Sequence, residues 1–337
     1  PIGGMGTREN AQGLDLNRDQ TKLDTPESRV LARLLTTWDP HVTVDMHTTN
    51  GTFHGYHLTY SPPLHPGTPP FISEFLYETF LPEVTQATEA ASGWKIWHYG
   101  NLSTKNGVEG WYTFDPRPRY VTNYIGLRNR VAILSEAYSY LTSKDRVQAS
   151  EYFVEAILAV LYPQRKALGQ SLEALDGEDL RGSSFPLHGK HAEHPPEMDL
   201  ILGEVEVERH PYTGGKLYRR TADTRQVRVP TSIRFEPIQT IEVPAGYLVS
   251  AEAEDILERL TAHGIIYEAI TKDSIQGYER FAIQSWSEQQ RNFQGRFQQS
   301  VDGTWAPDTD SLPDSLYFVP LNQPLARLAM LLLEPES

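Results

Sequence analysis

With 337 residues, 39% of them hydrophobic and 10% aromatic, the chain is long enough for two domains and apolar enough to bury a real core, which excludes a disordered polymer. A formal net charge of -14 argues against nucleic acid or an anionic membrane surface as partner, because phosphate binding relies on clustered Lys and Arg. There are no cysteines, so neither a disulfide framework nor a thiolate metal site is available, and no apolar run approaches the roughly 20 residues that span a bilayer.

The chain opens on Pro1 with no signal peptide, so a removed leader or a missing amino-terminal part of a longer protein is expected. Residues 8–19 (Arg8-Glu-Asn-Ala-Gln-Gly-Leu-Asp15-Leu-Asn17-Arg18-Asp19) place two arginines beside an amide and a carboxylate in a segment too short to pack as a core. Arginine's planar donor fork fits a carboxylate or an oxyanion, so this stretch reads as an anion site; a solvated polar turn is the competing reading. Thr25-Pro26-Glu27 starts a helix with Val30, Leu31, Leu34, Leu35 and Trp38 on one stripe, and Asp39-Pro40 stops it. Residues 41–46 then form a β-branched strand that delivers His47 at its end, where open α/β sheets place their chemistry.

His54, His57 and His65 follow in a Pro- and Gly-rich loop and are read as loop residues near a pocket. Residues 71–91 have helical spacing with a possible kink at Pro82, and the aromatics of 94–99 and 111–114 are candidates for a pocket wall. Arg130-Val-Ala-Ile-Leu134-Ser-Glu136 is a second apolar strand, ending in a carboxylate. A further amphipathic helix covers 144–168.

Taken together, Gly6-Thr-Arg8, Asn10-Ala-Gln-Gly-Leu-Asp15-Leu-Asn17-Arg18, His47-Thr-Thr-Asn50-Gly51 and the strand ending at Glu136 resemble, in order, the segments of the zinc metallocarboxypeptidases, the family of carboxypeptidases A, B and D. The resemblance covers roughly residues 6–140 and its spacing is similar to the D-like branch. It implies a zinc ion held by His47, with Asp15 hydrogen-bonding a zinc-ligating histidine. It further implies Glu136 as general base, Arg8 as oxyanion stabiliser, and Asn17 with Arg18 on the terminal carboxylate of a peptide-like substrate. Tyr112, Tyr120 and Tyr124 are candidates for the family's substrate-binding tyrosine, and Tyr112 is preferred. The family's H-x-x-E zinc motif does not precede Arg8, so the remaining ligands are expected upstream of Pro1 and the chain as it stands is expected to bind zinc poorly. His194-Pro-Pro-Glu197 has the letters of that motif but stands after Glu136, in a proline-rich stretch, and is rejected as the metal site. Two further readings remain open: a carboxylate-binding module that does not cut, and a zinc deacylase of N-acyl amino acids. The family resemblance also implies a secreted or periplasmic protein.

Residues 169–197 read as a polar linker, and from Met198 the pattern alternates between apolar and polar residues with turn signals between runs. The expected fold is thus α/β over residues 1–168, with a mostly parallel or mixed sheet and flanking helices. A β-rich α+β accessory domain over 198–337 follows, with a helix at 253–263 and another at 325–333.

Overall fold

The computed structural model describes residues 8–49, 51–105, 107–192, 194–275, 277–308 and 312–337; Gly6 and Asn50 of the quoted motifs lie outside them. The chain is a mixed α/β protein with several small sheets. The sheet that positions the site has the strand order Val42–Thr49, Val131–Tyr138, Leu58–Ser61, Ile96–His98. Its first two strands are parallel, Leu58–Ser61 runs antiparallel to Val131–Tyr138, and Ile96–His98 is parallel to Leu58–Ser61, so the sheet is mixed.

One core forms under this sheet. Leu58, Ile96, Val131 and Ile133 pack against Ile72, Leu76 and Phe80 of one helical run and against Phe153, Ile157 and Leu172 of another. Each such fully buried side chain contributes about 1.5–3 kcal/mol. The first run is helical from Pro70 to Ser92 but widens into a π turn at Phe75–Phe80, just before Pro82. Proline lacks an N–H and crowds the carbonyl four residues back; the wider turn absorbs both effects. The second run is longer than its sequence pattern suggests: it spans Ser143–Asp176, because Leu168 and Leu172 still face the core. Residues 169–197, expected to be a linker, therefore contain helix to Asp176 and then a strand, Ser184–His191, paired antiparallel with Phe235–Glu242.

A second core draws on both halves of the chain. Leu35, Tyr124 and Ala132 share it with Val249, Leu260, Val319 and the helix Ala326–Leu333. Glu197–Arg209 pairs antiparallel with Lys216–Ser232, as the alternation predicts, and the end of the latter strand joins Trp111 and Tyr112. The sequence pattern does not reveal the hairpin of Glu279–Phe293 and Arg296–Pro307. Its turn has φ of 54° at Gln294 and 80° at Gly295, the left-handed pair that a two-residue hairpin loop requires.

The segment carrying Asn17 and Arg18 is tied to the helix Pro26–Trp38 by a buried cap. Thr25 Oγ1 accepts from Ser28 N at 3.2 Å and donates to Asp19 Oδ2 at 2.6 Å, while Asp19 also accepts from the backbone of Asp24 and Thr25. Replacing Thr25 by alanine removes the cap and one donor to a buried carboxylate. The expected cost is about 1–2 kcal/mol, read as a lower urea midpoint; an unchanged midpoint would show that the cap is dispensable.

Candidate active site

Parallel pairing of Val42–Thr49 with Val131–Tyr138 sets His47 opposite Glu136. Both strands continue two residues beyond these positions, so His47 and Glu136 lie just inside the carboxyl ends of the strands and not past them. Around them is a cleft of about 170 Å³ lined by Arg8, Asn17, Arg18, His47, Thr48, Thr49, Tyr99, Phe114, Tyr120, Thr122, Leu134 and Glu136. Arg8, Asn17, Arg18, His47 and Glu136, from three separate stretches of chain, thus meet in one place.

The 8–18 stretch organises itself through Asp15. Its carboxylate accepts from Arg8 Nε at 2.6 Å and from Asn17 N at 3.0 Å, and Arg18 Nη1 lies 3.9 Å away. Asp15 was expected beside a zinc-ligating histidine; among the described residues its partners are these groups, and the carboxylate beside His47 is Asp45. Asn17 Oδ1 accepts from Val121 N at 2.9 Å, which leaves its NH₂ as the donor group. Arg18 donates to Asn17 O at 2.6 Å and lies over the Tyr120 ring, its Cζ 4.2 Å from the centroid. Such stacking fixes the plane of the guanidinium without using its donors.

His47 Nε2 lies 2.9 Å from Asp45 Oδ2, an ion-pair distance. Beyond this ion pair, both atoms and Glu136 Oε2 are buried without a hydrogen-bond partner among the described residues. The Asp45 contact raises the His47 pKa, burial opposes it, and Glu136 adds to the rise. Burial pushes the Glu136 carboxyl up to about 7; Asp45 adds to this, while His47 and Arg8 oppose it. A carboxyl poised near neutrality in a cleft is suited to proton transfer.

Tyr112 does not belong to this group. It is buried in the sheet, donates to Val108 O at 3.2 Å and stacks edge-on against His191. Tyr124 is buried in the second core against His263. Of the three candidates, Tyr120 is the one on the cleft wall. Tyr99 and Phe114, from the two aromatic stretches read as candidates for a pocket wall, do line the cleft; Thr122 and Asp45 were missed, and Asp45 could have been found from its two-residue spacing from His47, which puts both on one face of the strand.

The loop histidines are not cleft residues either. His54 packs 4.1 Å from the Tyr138 ring and burial lowers its pKa to about 3; His57 stacks on Trp94 at 4.6 Å. His65 is buried, its Nδ1 accepting from Gly67 N. His194 and Glu197 are both exposed. Among the described residues, no group of three or more His, Cys, Asp or Glu is gathered that could hold a metal ion.

The tip of the 279–307 hairpin reaches this end of the molecule. Gln294 Oε1 accepts from Asp15 N at 2.6 Å, and Arg296 forms a two-pronged pair with Asp24 at 2.6 and 2.7 Å. Arg119 stacks between Phe293 at the tip and Tyr120 on the cleft wall, 4.7 and 5.4 Å from their centroids. The Arg296 bond is the chief cause that holds the Asp24 carboxyl well below its ordinary 3.8. An acid depressed in the folded state stabilises above its unfolded value and loses that contribution as the pH falls. Acidification below 3.8 and the Asp24→Asn variant at pH 7 should therefore both loosen the tip. Losing a pair of this kind costs about 1 kcal/mol, so the Phe293 and Arg296 amides should exchange about fivefold faster in hydrogen-exchange experiments. Unaltered exchange would mean that the pair does not hold the tip.

Compared with protein-family models, curated proteins and solved structures, the chain has no significant match among them.

Proposed function

We propose that the cleft binds a peptide-like substrate by its terminal carboxylate and hydrolyses the adjacent amide, the activity class of the metallocarboxypeptidases that the sequence resembles. The observation that carries this reading is the meeting of Arg8, Asn17, Arg18, His47 and Glu136 in one cleft. The stacked Arg18 fork and the Asn17 amide take the carboxylate. Glu136 accepts a proton from water as its oxygen attacks the carbonyl carbon, and passes that proton to the leaving amine as the C–N bond breaks. Arg8 stabilises the oxyanion that forms between these steps.

In the family, bound zinc lowers the pKa of the attacking water and polarises the carbonyl. A catalytic zinc takes about three protein ligands. His47 is the one histidine on the cleft wall, and the orphaned atoms of Asp45 and Glu136 beside it do not complete a metal-holding group with it. The described residues do not by themselves fit a zinc site. The same observation favours a second reading, a carboxylate-binding module without hydrolysis.

One experiment separates the two. An N-acyl dipeptide and its carboxy-terminal amide are offered to the protein with and without added zinc, while binding, release of free amino acid and zinc content are followed. Release from the free acid alone supports the peptidase, whereas binding of the free acid without release leaves the module. If neither ligand is distinguished, both readings fail. N-acyl amino acids in the same assay cover the deacylase.

A further inference from the structure

A larger cavity, of about 800 Å³, lies apart from the cleft, between the 246–250 and 316–320 strands and the base of the long hairpin. This is the size of a small-molecule site. Tyr247, Phe281, Trp305 and Phe318 supply aromatic walls. The Phe281 and Trp305 rings meet edge to face at 5.4 Å. At Gly246 an added Cβ would come within 2.4 Å of Val319 O and 2.5 Å of the Phe318 ring, so the backbone itself lies against that ring.

The same wall carries a buried carboxylate, Glu334. It accepts from Tyr247 OH at 2.7 Å and from Trp305 Nε1 at 3.0 Å. Both donors are neutral, and burial together with the Glu334 bond raises the Tyr247 hydroxyl pKa, which keeps it a donor. Two hydrogen bonds leave a carboxylate with lone pairs to spare. The basic side chain on the wall, Arg280, is already paired with Asp308, whereas Glu242 and Glu279 add negative charge. A desolvated carboxylate that has no ion-pair partner among the described residues, set among aromatic faces, is the environment that recognises an organic cation: the ring faces attract positive charge and the carboxylate neutralises it.

We infer that this cavity is a binding site for a small organic cation with an apolar or aromatic body, held by Glu334 and the faces of Trp305, Phe281 and Phe318. The site shares no lining residue with the cleft and does not depend on the function proposed for it.

The test uses the full chain and two probes of one shape, phenethylammonium and 2-phenylethanol, titrated calorimetrically at neutral pH. The cation should bind at least about tenfold tighter than the alcohol, the preference that one desolvated cation–aromatic contact supplies. In Glu334→Gln that preference should fall towards one while the alcohol still binds. Equal binding of the two probes by the parent protein, or binding of neither, overturns the proposal. Should Glu334→Gln fail to fold, Trp305→Leu keeps an apolar wall without a π face. It should lose several-fold of the cation's preference over the alcohol; an unchanged preference likewise overturns the assignment.

Discussion

A Glu136→Gln variant is expected to lose turnover by about 10³-fold and, at pH 8, to resist urea better than the parent. The first effect is that of removing a general base, typically 10²–10⁴-fold. The second follows from burial, which lifts this carboxyl from 4.5 to about 7. An acid raised in the folded state weakens the fold as it ionises: the penalty begins as the pH passes the unfolded value and is complete above the folded one. At about 1.36 kcal/mol per unit, the shift corresponds to roughly 3 kcal/mol, and on the order of 2 after allowing for the side chain's residual exposure. The stabilisation of the variant over the parent should therefore be small at pH 5 and large at pH 8. By the same titration, turnover of the parent should climb with pH through about 7. A variant no better off at pH 8 than at pH 5 would show that the Glu136 carboxylate is not held against its own solvation.

Arg18→Met should weaken binding of ligands with a free terminal carboxylate by about 30- to 150-fold, the equivalent of 2–3 kcal/mol for a charge-assisted contact. Their carboxamide analogues should be unaffected. Arg18→Lys keeps the charge but loses the fork and the stacking on Tyr120, so it should recover only part of the loss. Arg8→Ala is the contrast: its contact is assigned to the oxyanion and should lower kcat more than it raises KM. Equal losses for acid and carboxamide in Arg18→Met would remove the clamp from the mechanism.

Much of this cleft can be read in the sequence because its parts obey simple local rules. Two β-branched runs end in a histidine and a glutamate, and parallel pairing places those ends side by side. The 8–18 stretch has too little apolar surface to be anything but a polar constellation. What could not be read depends on contacts distant in sequence. Tyr112 and Tyr120 look alike as aromatics in loops; pairing with Asn101 and with the distant Ser232 puts the former into a sheet, and the latter lies over Arg18. The helix past Leu168 is disguised by polar residues, although Leu172 still reaches the core. The long hairpin leaves no trace of period two, because both of its faces are largely solvated and alternation records only one-sided burial.

That hairpin also has a liability to manage. It is a sheet of two strands, so among the described residues each strand has one edge with unpaired backbone donors and acceptors, a template on which another chain could assemble. Its register breaks between Ile283 and Ser285 and again between Glu288 and Asn292. Such irregularities twist and interrupt an edge, and Arg291 and Glu288 on the same strand add charge. Breaks and charges of this kind blunt an exposed edge, here on a ribbon that also leaves Ile283 and Trp286 exposed.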